Sequence, residues 1–421
     1  MNWLARFLQY TQKVFALRKL LRGVREGRCD PRIALRSLNL CLLLGVVTRV
    51  SSYLDLAQQT TRKRWRRLCH LARAISHDTF GYATERMQPE DWRLNQAQVV
   101  KTLKANKALE SCKINGLLFL SVDGNEHFKS RSRCCSRCCQ RQVEATGEDG
   151  QTCQVTEYYH RYVMAQINGP KINVLLDVEP ILPGQEECAA ALRLLGRIRR
   201  LHGARFFDGI SLDAWYAKGP FLRAVEKLGW SWIVVLKRQD MEIYQEAQRL
   251  SQAQKPDASF DDEQRQRQVQ LREVKDLEFS QEYGKKVRVV RSEEQWVERR
   301  VWGGHKESQP RCSLWVWAAS QELDGYSAQV VYQGGHRRWG IENKAFNELT
   351  QGYHLDHCYH HDPTSMLVQM LILIFGFTLF TAFALHSQWV RLGKMTLKAL
   401  AKALDLALEE DLPWNQWFHS G

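Results

Sequence analysis

Three carboxylates stand where acids do chemistry rather than merely solvate a surface. Asp123 closes the apolar run Leu118, Phe119, Leu120 and Val122, and Asp213 follows Ile210 and Leu212 in the same kind of setting. Glu342 lies in a predicted helix beside Trp339 and Ile341. An acid at the carboxyl end of a buried strand points into the crevice where open α/β sheets bind ligands. Three ionised carboxylates gathered there raise one another's pKa. Divalent cations relieve that conflict, and hard oxygen ligands suit Mg2+ or Mn2+. Two such ions ~3.5–4 Å apart form the clamp for in-line phosphoryl displacement. Asp208 competes for the second position, but Asp213 directly precedes a turn and helix and is preferred.

A second constellation is made of soft ligands. Cys134, Cys135, Cys138 and Cys139 contain one Cys-x2-Cys pair flanked on each side by a further Cys, after His127 and before Cys153 and His160. Zinc uses such knuckles. The expected Zn2+ site is made of these four cysteines, or is completed by Cys153 or His160; the alternative is a loop of reduced, metal-free thiols. Arg131, Arg133, Arg137 and Arg141 surround the segment, which suits a knuckle touching DNA. His354, His357, His360 and His361, with Cys358 between them, cluster before Pro363. They are expected as hydrogen-bonded histidines at a helix start rather than as a metal site.

The elements that must position these groups follow from periodicity and charge. The chain has 421 residues, 44% apolar and 25% charged, with ten prolines, which excludes a disordered or collagenous protein. Residues 1–110 hold 21 Lys and Arg against 8 Asp and Glu, so nearly all of the net +14 sits in the first quarter. A basic helical module on a near-neutral body points to nucleic acid. Within it Arg62, Lys63, Arg64, Arg66 and Arg67 surround Trp65, fitting phosphate contacts with an aromatic wedge or stack. Beyond residue 113, strands are predicted at 116–124, 158–167, 172–181, 205–216 and 230–238, with helices at 186–201 and 218–229. That alternation argues for an α/β sheet covered on both faces. Antiparallel strands follow a polar stretch over 239–282, and helices return at 336–350 and 395–410. The apolar run 366–385 reaches the ~20 residues of a membrane span, but Gln369, Gly376, Thr378 and Thr381 interrupt it. A buried core helix is expected, with no membrane. Met1-Asn2-Trp3 leads into basic, amphipathic sequence rather than an unbroken apolar core, so the twelve cysteines are expected as reduced thiols in cytoplasm.

The order Asp-in-strand, Asp-at-strand-end, Glu-on-helix, carried by LSVDGNEHF, SLDAWYAKGPF and RRWGIENKAFNEL, resembles the DDE transposases of bacterial insertion sequences over most of residues 113–385. The last segment is similar to the Tyr-Arg-Glu-Lys signature of one transposase group. Here Gly335 stands where that signature has Tyr, and Leu349 where it has Lys; the nearest equivalents are Tyr332 and Lys344. The resemblance implies a ribonuclease H-like mixed sheet flanked by helices, with a β-strand-rich insertion and an N-terminal all-helical basic region. The expected organisation is 1–110 DNA-binding helices, 111–238 first part of the catalytic core, 239–330 β-rich insertion and 331–421 core C-terminal helices. It further implies Asp123, Asp213 and Glu342 as catalytic ligands of two Mg2+ or Mn2+ ions. Arg337 and Arg338, together with Tyr332, Trp339 and Lys344, are the implied DNA contacts, and Trp215, Trp302 and Trp339 are candidates to stack on a flipped base. Terminal inverted repeats and target DNA are the implied partners, paired by a homodimer in the bacterial cytoplasm at the nucleoid. Hydrolysis followed by strand transfer is the implied reaction. A catalytically silent DNA-binding relic and a nuclease without strand transfer are the competing readings.

Overall fold

The structure, a computed structural model, describes residues 2–146, 151–302, 305–341, 346–387, 390 and 392–409, without the side chains of 299–302, 305 and 306. Its elements run α1 (Trp3–Phe15), α2 (Leu17–Arg22), α3 (Leu35–Val47), α4 (Tyr53–Thr61), α5 (Lys63–Leu68), α6 (His77–Thr84), α7 (Pro89–Ala105), β1 (Phe119–Ser130), β2 (Cys139–Thr146), β3 (Thr152–Ile167), β4 (Val174–Ile181), α8 (Glu187–His202), β5 (Gly209–Leu212), α9 (Gly219–Lys227) and β6 (Ser231–Val235). They continue with α10 (Glu242–Gln252), β7 (Ala258–Asp262), β8 (Arg267–Glu278), β9 (Lys286–Trp302), β10 (His305–Ala319), α11 (Ala328–Arg337), α12 (Asn347–Tyr353), α13 (Pro363–His386) and α14 (Leu397–Glu409). The class is mixed α/β, with a large mixed sheet, flanking helices and an N-terminal helical region. The chain forms two compact units: residues 1–112, 124–202 and 342–421 make the first, and residues 113–123 and 203–341 the second.

In the first unit, β3 pairs antiparallel with β2 and β4, and α8 covers β3 and β4. The strand β2, which begins at the last cysteine of the cluster, is not among the predicted strands; its alternating exposure hides it from an apolar-run criterion. The predicted apolar helix is α13. Asp362 caps it, accepting from the Thr364 and Ser365 N–H groups at 2.9 Å, and Pro363 fills the first turn. Its apolar length is wholly buried, against α1, α3, α6, α7 and β4. The polar residues that interrupt it are satisfied: Gln369 accepts from the Tyr53 hydroxyl at 3.1 Å, and Thr378 accepts from the Gln96 amide at 2.9 Å. At Gly376 an added Cβ would meet Val46 at 2.7 Å, so the glycine permits close approach to α3. Buried cations of this unit serve the fold. Arg93 on α7 and Arg197 on α8 both reach buried Asp177 on β4, at 3.1 and 2.6 Å.

The second unit is one sheet in the order β1–β5–β6–β10–β9–β8–β7, with the first five residues of β1 at its edge. The strands β1, β5 and β6 are parallel, and β5 (GISL) and β6 (SWIVV) are buried throughout, as parallel strands covered on both faces must be. The inserted strands extend this sheet through antiparallel pairing of β10 with β6. Helix α11 packs on β5, β6 and β10 through two glycines. A Cβ at Gly334 would meet Ile233 at 2.5 Å, and one at Gly335 would meet the Trp317 indole nitrogen at 2.2 Å. This explains why Gly335 replaces the tyrosine of the signature: no side chain fits. Replacing Gly335 by Ala forces α11 off the sheet and is expected to cost about 1–3 kcal/mol, read as a lower urea midpoint at an unchanged m-value.

Candidate active site

Parallel pairing puts the first two acids side by side. The register Phe119↔Gly209 through Val122↔Leu212 makes Asp123 and Asp213 the next residues where the pairing of β1 with β5 stops. Asp208 sits at the opposite end, where its carboxylate accepts the Leu118 N–H at 2.8 Å. It therefore closes the sheet's other edge, and Asp213 is the strand-end partner of Asp123. Glu342 and Lys344 lie outside the described residues; Ile341, immediately before Glu342, is buried and donates its N–H to the Arg338 carbonyl.

Two cations meet the carboxylate pair. Arg338, only 1% exposed, directs Nη1 to Asp123 Oδ2 at 3.1 Å and Nη2 to Asp213 Oδ1 at 3.6 Å. Lys237, just past β6, places Nζ 2.9 Å from Asp213 Oδ1. Burial raises the Asp213 carboxyl, but the Lys237 hydrogen bond, the Arg338 charge and the Ala214 N–H more than offset it and hold it below its usual range. Asp213 is therefore ionised at neutral pH, the form in which a carboxylate ligates a metal. Sequence reading missed Lys237. Its signal was available: a cation directly after an apolar strand that runs parallel to the Asp213 strand emerges at the same edge.

Other predicted contacts fall differently. Arg338 was expected on phosphate, yet its guanidinium lies on the two aspartates. Tyr332 is fully buried, its hydroxyl donated to Asp262 at 2.9 Å, so it is withdrawn from phosphate contact. Arg337 is half-buried and reaches the Lys113 carbonyl at 3.3 Å. Trp339 is half-buried and packs edge-on against Trp315, with ring centroids 5.6 Å apart. Trp215 is 59% exposed two residues past Asp213, with the Lys218 ammonium 5.0 Å from its ring; the Trp302 side chain lies outside the description. In the basic cluster, Trp65 is wholly buried and cannot act as a wedge, and Arg64 is buried beside it. Arg62 pairs with Glu409 at 3.1 Å and Arg66 donates to the Thr61 carbonyl, while Lys63 and Arg67 remain exposed. Position 349, where the signature has Lys, is the fully buried Leu349.

The soft-ligand constellation is also regrouped. Cys134 is exposed and Cys139 begins β2, pairing with Tyr159, so the four cysteines do not converge. Cys153 is exposed, its Sγ directed to the Ala145 carbonyl at 3.6 Å. His160 is half of the expected completion and does join Cys135 and Cys138. Of the histidines before Pro363, His360 follows expectation in bonding Glu85 at 2.6 Å, but His361 turns to Cys138.

Residues 175–379 match the family described as "Transposase DDE domain". The match includes Asp213 and Glu342 and begins after Asp123. A solved structure of a piggyBac transposase synaptic complex with hairpin DNA aligns at a TM-score of 0.43 and 12% identity, covering 96% of this chain and 78% of that one. No curated protein matches the sequence.

Two predictions follow from the residues around α11. Replacing Arg338 by Gln leaves two adjacent carboxylates without their shared cation, a loss of about 2–3 kcal/mol at sites partly open to water. Added Mn2+ is expected to raise the melting temperature of Arg338→Gln more than that of wild type. His336, also on α11, donates to or accepts from Glu294 at 2.6 Å in a buried pair. Burial drives His336 below its ordinary range although Glu294 opposes this. Below about pH 6.5 the unfolded chain therefore binds a proton that folded His336 refuses, so stability present above that pH is lost as pH falls. His336→Gln is expected to flatten the pH dependence of the denaturation midpoint below 6.5, by up to about 1.4 kcal/mol per pH unit.

Proposed function

We propose that this chain, whose residues 175–379 match the transposase DDE domain family, is a DNA transposase that cuts and rejoins the terminal inverted repeats of an insertion sequence. The observation that carries the reading is the pair Asp123 and Asp213, each directly after the last paired residue of two adjacent parallel strands, beside Arg338 and Lys237, with Asp213 held below its usual pKa range. A carboxylate pair at a crevice, with Asp213 held below its usual range, suits divalent cations better than it suits proton transfer, because a general base is normally poised nearer to neutral pH.

The residues fit Mg2+ or Mn2+ by their donor chemistry: hard carboxylate oxygens from Asp123 and Asp213, with Glu342 as the family's third ligand. When bound, such ions neutralise charge at the reacting phosphate and make water a nucleophile at neutral pH. The chain's own groups do the rest. Arg338 shifts from bridging the two aspartates to the incoming phosphate once other cations balance them, and its fork suits two phosphate oxygens. Lys237 has a half-exposed ammonium free to swing to a neighbouring phosphate. Trp215 offers an exposed aromatic face beside the cut for an unstacked base. Hydrolysis breaks the bond from phosphorus to the bridging 3′-oxygen and releases a 3′-hydroxyl. That hydroxyl then attacks a target phosphate in line, and one phosphodiester replaces another without an external energy source. Lys63 and Arg67 in the basic N-terminal region are the exposed cations for binding the repeats, and two copies of the chain would pair the two ends.

The test is Mg2+- or Mn2+-dependent cleavage and joining of DNA carrying the flanking ends. Asp123→Asn, Asp213→Asn and Glu342→Gln are each expected to lower both by at least about a hundredfold while DNA binding persists. Cleavage without joined products would support the simple nuclease; binding with no cleavage, unchanged by the substitutions, would leave a DNA-binding relic.

A further inference from the structure

We infer that Cys135, Cys138, His160 and His361 form a closed zinc site that ties the turn between β1 and β2 to the start of α13. The four ligand atoms lie within 4.8 Å of one another, all in the first compact unit. Four of the six separations match a tetrahedron's edges, and the other two lie within 4.8 Å. Zn–S bonds of about 2.3 Å and Zn–N bonds of about 2.0 Å require S···S edges near 3.8 Å and S···N edges near 3.5 Å. The Cys135 and Cys138 sulfurs are 3.7 Å apart. Cys135 Sγ is 3.5 Å from His160 Nε2, and Cys138 Sγ is 3.3 Å from His160 Nε2 and 3.4 Å from His361 Nε2. Ordinary packing has no reason to converge two thiols and two imidazoles at these spacings through their ligating atoms.

The surroundings match a structural site. The Cys138 N–H donates to the Cys135 carbonyl at 3.1 Å, and the Cys135 N–H donates to Cys138 Sγ at 3.2 Å, so the backbone closes the turn and sets the Cys138 sulfur before any ion arrives. The Phe128 ring lies 4.6 Å from that of His361 and walls one side. Two thiolates and two imidazoles select zinc among common divalent ions. Binding releases one proton from each thiol and leaves a site with no net charge. With four protein ligands no position stays open for substrate, which separates this site from Asp123 and Asp213. Arg131, Arg133 and Arg137 are exposed along the turn that the zinc would hold. The inference does not depend on the proposed function.

Metal analysis of the full-length protein, produced with zinc and passed through gel filtration, is expected to find about one zinc per chain. Cys135→Ser and His361→Gln should lose it, whereas Cys134→Ser and Cys139→Ser should keep it. Replacing zinc by Co2+ in the wild-type chain should give the visible bands of tetrahedral cobalt with thiolate charge transfer, a readout independent of whether any variant folds. A wild-type chain with far less than one zinc and no tetrahedral cobalt spectrum overturns the site. Zinc lost from Cys134→Ser or Cys139→Ser, yet retained by His361→Gln, overturns this ligand set.

Discussion

Two negative charges on neighbouring strands set the terms for the second unit. Where the parallel pairing of β1 with β5 stops, an aspartate follows on each strand, and this brings like charges together. The chain answers with cations from two directions: Arg338 from the helix above and Lys237 from the third parallel strand. The arrangement is stable only while those cations stay, and it presents two adjacent carboxyl groups to any divalent ion that arrives. Ser211, in register two residues before Asp213, donates to the Gly334 carbonyl at 2.8 Å and anchors the helix that carries Arg338.

That helix can reach the sheet because it has no side chains at Gly334 and Gly335. Trp317, Tyr332 and His336 fill the space around the bare backbone, with Tyr332 and His336 ring centroids 4.7 Å apart. Beneath them Glu294, wholly buried on β9, meets Arg267 and His336. The inserted strands thus support the site from within the same sheet. The buried hydrogen bond between Glu294 and His336 gives α11 one seating, since a displaced helix would leave Glu294 without His336.

The sequence made much of this legible. Apolar runs ending in Asp marked the strands, and residues that cannot face lipid marked α13 as a core helix. Asp213 was separable from Asp208 because only the former leads into a turn at a strand's carboxyl end. Illegible were groups whose meaning depends on distant residues. His361 joins Cys138 across 223 positions, and no local spacing reports that. The doubled cysteines suggested four equal ligands, but strand β2 begins at Cys139 and its register with β3 takes that side chain out of the cluster. Trp65 amid five cations looked like a solvent-facing device, yet burial in a helical unit is a tertiary matter that composition does not encode. Gly335 read as a departure from a signature; only the Trp317 indole beside it shows why.

The buried helix α13 has a consequence for how the chain comes into being. Helices α3 and α7 are fully synthesised by residue 105, yet the surface that covers them ends at residue 386. Throughout most of translation, Leu43, Val46 and their neighbours wait without their partner. The contact is strongly non-local, so helices made early are among the last to be sealed. The segment they await is apolar enough to attract membranes or other nascent chains, and the N-terminal helices act as its intramolecular shelter from the moment it emerges.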